Sequence, residues 1–128
     1  MINFEPNKHT ETVCNLQYLS SLMGGKTHLI KKIMDTFLVQ VREELRSINN
    51  AILTTDYVTT KNLAHTMKSS VSIMGISTVL PVLQEMEDLG TDTTCSDSYR
   101  DEKLTALNLN LNAICKKAFV EIENYSFS

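Results

Sequence analysis

The sequence predicts an all-α protein, an antiparallel four-helix bundle with an additional short N-terminal helix. The chain has 128 residues, of which 42% are hydrophobic, and this length suits one domain with one core. It contains only four Gly and two Pro, too few for a turn-rich sandwich or barrel. Its apolar residues recur every three to four positions, as in amphipathic helices, and such helices joined by short links pack most simply as a bundle. We therefore expect one domain over residues 1–128, with residues 1–12 as a polar leader.

The first two helices are separated by the strongest break in the chain. Leu16, Leu19 and Met23 have helical spacing and predict a short first helix. It is expected to end at Gly24-Gly25, since glycine tolerates the left-handed conformation that closes many helices. From there an apolar stripe continues to Leu53 and predicts one helix of about 27 residues, roughly 40 Å long.

Three further helices follow. Asp56 is a plausible N-cap for a third helix from about Tyr57 to Met74, because its carboxylate can accept from free backbone amides. Ser77 is predicted to cap a fourth helix, with Pro81 in its first turns and Gly90 at its end. A polar loop over residues 91–98 then leads into a long amphipathic helix that carries Leu104, Leu107, Leu111, Ile114, Ala118 and Ile122.

Composition and charge exclude several functional classes. Twelve Lys and Arg stand against 15 Asp and Glu, so the chain lacks the basic excess of a nucleic-acid binder. Cys14, Cys95 and Cys115 are widely spaced, which favours reduced thiols over a disulfide framework or a zinc site. The sequence shows neither a signal peptide nor an apolar run long enough to span a membrane. We expect a cytoplasmic protein without a metal site, a nucleic-acid partner or a membrane partner.

The third helix has one apolar side and one polar side that carries a histidine. Leu63, Met67, Ser70, Val71 and Met74 fall on the predicted core side. His65 lies opposite, and the residues within about 60° of it are Val58, Lys61, Lys68, Ser69 and Ser72. Imidazole is a nucleophile that is largely neutral at pH 7, and nearby cations can balance an anionic adduct, so this face suits a phosphoryl acceptor. An isolated surface histidine is, however, more often simply solvated.

A longer motif surrounds this histidine. The segment Asn62-Leu-Ala-His65-Thr-Met-Lys68-Ser-Ser-Val-Ser-Ile-Met-Gly75 resembles the signature of histidine-containing phosphotransfer (HPt) domains, Ala-His-x-Leu-Lys-Gly-Ser followed by Leu-Gly. Met86-Glu87 stands where members often show Leu-Glu. One position departs from the pattern, because Ser69 replaces the glycine that commonly follows the lysine. A serine adds only a hydroxymethyl group, so we expect the site to tolerate it with some effect on partner choice.

The resemblance implies a phosphorelay intermediate rather than an autonomous enzyme. His65 would be phosphorylated and Lys68 would give electrostatic support, with Lys61, Ser69, Ser72 and Gly75 as further binding residues. The implied partners are receiver domains of response regulators and of hybrid histidine kinases, and the protein is expected to act as a monomer. It would need no cofactor of its own, because the receiver would hold the divalent metal. The apolar residues expected to dock the partner are Leu22, Met23, Ile73 and Ile76.

The sequence leaves two other functions open. One is a helical adaptor that binds receiver domains or other signalling proteins without phosphorylation, which would tolerate loss of the histidine. The other is an enzyme that uses His65 as a general base, although the sequence shows no obvious polar group to pair with it in a pocket. The initial Met1 and the self-contained first helix slightly favour a free-standing protein over a piece of a hybrid kinase.

Overall fold

Five α-helices make up most of the chain described by the computed structural model, which covers residues 12–125. All of the predicted leader except Thr12 lies outside these residues. A 3₁₀ turn at Ser77–Val79 precedes the fourth helix, and no strand occurs within the described range. The helices are α1 (Leu16–Leu22), α2 (Thr27–Leu53), α3 (Tyr57–Ile73), α4 (Leu80–Thr91) and α5 (Asp97–Glu123).

Helices α2 to α5 form the bundle. Helix α2 packs against α3 and α5, and α4 packs against the same two helices, so that α3 and α5 lie on one diagonal. The short links make consecutive helices antiparallel. Helix α1 lies against α2 and places Leu19, which is fully buried, into the common core. The predicted bundle with a short additional N-terminal helix is confirmed. No helix in the described part of the chain is long and apolar enough to cross a membrane.

Local sequence explains where the third and fourth helices begin. Asp56 caps α3 as predicted, since its Oδ1 accepts a hydrogen bond from the backbone N of Thr59 at 3.1 Å. The prediction that Ser77 caps the fourth helix is wrong. Ser77 opens the 3₁₀ turn, which makes no side-chain cap and continues directly into α4 at Leu80. Pro81 lies in the first turn of α4 as predicted, where no amide donor is needed.

The loop after α4 is shorter than the predicted span of residues 91–98. Helix α4 continues past Gly90 to Thr91, and α5 begins at Asp97. Ser96 caps α5 by accepting from the backbone N of Tyr99 at 3.1 Å. A serine and an aspartate that look like loop residues in sequence therefore belong to a helix start.

The core runs through all five helices and includes most of the predicted inner face of α3. Met67, Val71 and Met74 are fully buried, whereas Leu63 and Ser70 are only half-buried. Ile76 is also fully buried. The prediction that Ile76 helps to dock a partner is therefore wrong, because the turn after α3 directs this side chain into the core.

A carboxylate on α5 holds the segment that leads into α1. The two oxygens of Glu121 accept the backbone amides of Val13 and Cys14, at 2.8 Å and 2.9 Å. Hydrogen bonds to a charged acceptor are stronger than neutral ones. Glu121 therefore fixes the start of α1 on the end of the bundle, and with it the position of the turn that follows α1.

Candidate functional site

His65 projects from the middle of α3 into solvent. Its neighbours Ala64 and Met67 are fully buried, so the helix turns its opposite side outward at this position. The imidazole side chain is 69% exposed. It lies on an open surface, as the helical pattern predicts, and a large partner can approach it.

One nitrogen of the imidazole is held by the neighbouring helix. Nδ1 of His65 lies 2.9 Å from Oε2 of Glu87 on α4. An ionised carboxylate only accepts hydrogen bonds, so Nδ1 carries the proton and donates it to Glu87. In this tautomer the lone pair of the imidazole is on Nε2, which is the ring nitrogen left for chemistry.

The same carboxylate also binds the lysine of the motif. Nζ of Lys68 lies 2.7 Å from Oε1 of Glu87, so the two oxygens of Glu87 serve one partner each. Hydrogen bonding from the Lys68 ammonium, with a smaller contribution from His65, lowers the pKa of the Glu87 carboxyl below its usual value, although partial burial works in the opposite direction. Glu87 is therefore ionised at neutral pH and is available to both partners.

A second contact fixes the lysine. Nζ of Lys68 donates to Oε1 of Gln84 at 2.8 Å, and Nε2 of Gln84 donates to Oδ1 of Asp88 at 3.0 Å. Glu87 and Asp88 follow Gln84 by three and four positions, so both lie on the side of α4 that carries Gln84. This polar side of α4 faces α3. It holds the ammonium of Lys68 and the carboxylate of Glu87 next to the exposed imidazole of His65.

Helix α4 comes close to α3 because of a glycine. A Cβ atom added at Gly90 would lie 2.8 Å from Cβ of Lys61 and 2.9 Å from the backbone oxygen of Tyr57. Only a residue without a side chain permits this approach. Gly90 follows Glu87 by three positions, so the close contact lies on the side of α4 that carries Glu87 toward His65.

The remaining residues predicted around the histidine have different surroundings. Lys61 is half-buried against Gly90 and makes no ion pair with a described residue. Ser69 is exposed. Ser72 is also exposed and donates its hydroxyl to the backbone oxygen of Lys68 at 2.7 Å. Of the residues predicted around His65, Lys68 alone is linked to it, through the carboxylate of Glu87 that both contact.

Gly75 is not part of this network. It lies beyond the end of α3, ten residues after His65 and so roughly 15 Å further along the helix direction. Its φ is +68°, and a Cβ there would lie 2.5 Å from Cβ of Asn15. The backbone N of Asn15 also donates to the oxygen of Met74 at 2.9 Å. The structure therefore gives Gly75 a packing role at the junction with the N-terminal segment.

A mainly apolar groove runs beside the histidine face, between α2 and α3. It has a volume of about 400 Å³, and Ser69 and Ser70 form its border on the α3 side. Met23 and Ile73, two of the residues predicted to dock a partner, line it, whereas Leu22 is exposed outside the lining. Its other apolar lining residues are Leu29, Ile33 and Phe37.

Sequence reasoning did not assign a role to Glu87 or Gln84. The sequence shows no obvious polar partner for His65, and the structure supplies one in Glu87. The spacing of Gln84, Glu87 and Asp88 indicates a polar side of the fourth helix. The pairing of Glu87 with His65, however, depends on how closely α3 and α4 approach each other. Within residues 12–125, no three His, Cys, Asp or Glu side chains cluster as a metal site would require.

Comparison with known proteins places the chain in a family. The family model of the Hpt domain matches residues 32–117, from the second turn of α2 to near the end of α5. Neither curated proteins nor solved structures gave a significant match. The matched segment spans more than half of the chain and includes the helix pair that carries His65 and Glu87. The chain therefore belongs to the Hpt domain family, whose members act in histidine phosphotransfer within phosphorelays and work with receiver domains.

Proposed function

We propose that this protein is a phosphorelay intermediate in which Nε2 of His65 takes a phosphoryl group from the aspartyl phosphate of one receiver domain and passes it to the aspartate of another. The observation that supports this most strongly is the orientation of the imidazole. Its Nδ1 is bound to Glu87 at 2.9 Å, while the side chain is 69% exposed. A nucleophilic nitrogen is thus presented on a rigid helix.

The transfer follows from this arrangement. The lone pair of Nε2 attacks phosphorus, the bond from phosphorus to the aspartate oxygen breaks, and the carboxylate of the receiver leaves. The ring then carries positive charge, which the Nδ1–H shares with the ionised carboxylate of Glu87. In the second transfer the receiving aspartate attacks phosphorus and His65 leaves as the neutral ring. Phosphoryl transfer needs chiefly positioning and charge neutralisation, and this site supplies both.

Lys68 acts through Glu87 as well as through its own charge. A lone carboxylate beside the imidazole would repel the incoming phosphoryl group. The ammonium of Lys68, 2.7 Å from Oε1 of Glu87, offsets that charge. Lys61 adds a second positive charge on the same face of α3. We assign no metal or nucleotide to this chain and expect the divalent metal in the acidic pocket of the receiver.

The groove between α2 and α3 is our proposed receiver-docking surface. It adjoins the histidine face at Ser69, and Met23 and Ile73 supply apolar contact. A relay must release its partner quickly, which a small interface allows. We propose that the protein works as a monomer in the cytoplasm. Its three cysteines are all free, which fits a reducing compartment.

A transfer assay with a phosphorylated receiver domain tests this function. Wild-type protein should remove the phosphoryl group from the receiver, and His65→Gln should not. Glu87→Ala should transfer roughly 10- to 100-fold more slowly, since a hydrogen bond to a charged group contributes about 1.5–3 kcal/mol. Glu85→Ala is the matched control, because Glu85 lies on the same helix and makes an exposed ion pair with Lys103. This variant should transfer the phosphoryl group at the wild-type rate.

The adaptor function makes the opposite prediction. If wild-type protein binds receivers but takes no phosphoryl group from several of them, and His65→Gln binds equally well, the relay function is wrong. Circular dichroism of each variant shows whether the fold is intact, so that loss of transfer is not mistaken for loss of structure.

A further inference from the structure

A second groove lies on the side of the bundle that faces away from the histidine. His65 and Glu87 occupy the surface between α3 and α4. Helices α2 and α5 pack against each other on the opposite side. A protein bound between α2 and α5 would therefore leave the imidazole open to a receiver domain.

Two cavities between α2 and α5 join into one groove. Their volumes are about 440 Å³ and 400 Å³, and both are lined by Leu45, Leu109 and Asn112. On α2 the lining extends from Arg42 to Asn49, and on α5 it extends over residues 108–119. At 1.5 Å per residue the longer side measures roughly 16 Å, the length of about three helical turns. We call this surface the α2–α5 groove.

The charge of the α2–α5 groove differs from that of the whole protein. The chain has a net charge of −3, yet Arg42, Arg46 and Lys116 line the groove and no carboxylate does. Both guanidinium groups have exposed partners at the edge, Glu123 at 3.0 Å from Arg42 and Glu43 at 2.5 Å from Arg46. Exposed ion pairs contribute little free energy, so the carboxylates of a bound partner can replace these at small cost.

Apolar and amide groups complete the surface. Leu109 is 70% exposed and lies where the two cavities meet. Nδ2 of Asn108 donates to Oδ1 of Asn49 at 3.2 Å, and Nδ2 of Asn112 donates to Oδ1 of Asn108 at 3.0 Å. These bonds fix the floor of the groove and leave the Nδ2 of Asn49 and the Oδ1 of Asn112 for a ligand.

We propose that the α2–α5 groove binds an acidic amphipathic helix of a partner protein. An apolar side chain of that helix would cover Leu109, and its carboxylates would pair with Arg42, Arg46 and Lys116. Helices commonly lay an apolar face into a groove of this kind, and the cations would select an acidic sequence and speed its association. The binding is independent of His65, so it would hold the protein near a partner during phosphoryl transfer.

A titration with a synthetic peptide tests this proposal. The probe is a three-turn helical peptide with Glu on one face and Leu on the other, and the control is the same peptide with Lys in place of Glu. Heteronuclear NMR of the labelled protein should show shifts on α2 at residues 42–49 and on α5 at residues 108–119, with none near His65. Added salt should weaken binding of the acidic peptide, and the Lys peptide should not bind.

Paired variants locate the binding. Leu109→Ser should weaken binding of the peptide about tenfold. Val58 is an apolar residue of similar exposure on α3, and Val58→Ser should have no effect on binding. Lys116→Glu should also weaken binding of the peptide. Lys117 is the next residue and lies outside the groove lining, so Lys117→Glu should not weaken binding. All four substituted residues are exposed, so circular dichroism should show the wild-type fold.

Several results would overturn the proposal. Shifts that map to the histidine face or scatter over the surface would do so, as would equal binding of the Lys peptide. If inorganic phosphate or a short RNA gives the same shifts, the groove is a general anion site. If sedimentation shows the protein pairing with itself through α2 and α5, the occupant is a second copy of this chain.

Discussion

Gly90 controls how closely α4 approaches α3, and we expect Gly90→Ala to damage both stability and phosphoryl transfer. The added Cβ would lie 2.8 Å from Cβ of Lys61 and 2.9 Å from the backbone oxygen of Tyr57. Non-bonded carbon atoms pack at about 3.5–4.0 Å, so α4 has to move outward by roughly 0.5–1 Å. These contacts include backbone, so rotation of a side chain cannot relieve them.

The expected size of the effect follows from two opposing contributions. Alanine in a helix is more favourable than glycine by about 1 kcal/mol, whereas overpacking costs about 1–3 kcal/mol. We expect a net loss of up to about 2 kcal/mol. The same outward movement lengthens the 2.9 Å contact between His65 and Glu87 beyond hydrogen-bond distance. Phosphorylation should then slow about tenfold or more, as expected for loss of a hydrogen bond to a charged group.

Urea unfolding and the rate of phosphorylation by a small phosphoramidate measure the two effects separately. Gly75→Ala is the matched control, because its φ of +68° and its contact with Asn15 should cost stability at a position remote from the histidine. The folded Gly75→Ala protein should be phosphorylated at the wild-type rate. If Gly90→Ala is at least as stable as wild type and equally fast, the close approach of α3 and α4 does not position Glu87.

Three further substitutions test other parts of the structure by urea unfolding. Glu121→Gln should lower the free energy of unfolding by about 1–2 kcal/mol, because an amide offers one acceptor oxygen to the two backbone amides that Glu121 binds. An unchanged stability would show that Glu121 does not hold the start of α1. Met67→Ala should lose about 2–5 kcal/mol through a cavity in the core, and a loss below 1 kcal/mol would contradict the packing. Burial raises the pKa of the Glu44 carboxyl, and this effect exceeds the lowering by hydrogen bonds with Gln40 and Ser70. The folded protein therefore disfavours ionised Glu44, and its stability falls as pH rises through that pKa. Glu44→Gln should match wild type at low pH and exceed it by less than about 1 kcal/mol at pH 7, because water screens this partly exposed group; a less stable variant at pH 7 would refute this.

The fold and the exposed histidine were predictable because both depend on local pattern. The period of the apolar residues places Met67 and Val71 inside and His65 outside, and Asp56 marks the start of α3 through a hydrogen bond within four residues. The composition left little alternative to helices. The helices and the exposure of His65 can therefore be predicted without knowing how the helices pack against one another.

The rest of the site depends on contacts between distant residues. Glu87 reaches His65 only because Gly90 lets α4 come close to α3, and sequence does not reveal that distance. Ile76 illustrates the same limit, because the turn after α3 buries a residue whose place in sequence, near a helix end, suggested exposure. Ser77 looked like a cap, but the 3₁₀ turn places the start of α4 further along the chain.

The position of the phosphoryl group on the intact protein is the result on which the relay function depends. The protein should be incubated with a small phosphoramidate, and phosphorus and imidazole NMR should then identify the modified nitrogen, with His65→Gln alongside. We expect one acid-labile phosphoryl group on Nε2 of His65, with Nδ1 still protonated and bound to Glu87, and none on the variant. A phosphoryl group on Nδ1 or on another residue, or none on folded wild-type protein, would contradict the proposed role of His65 and Glu87.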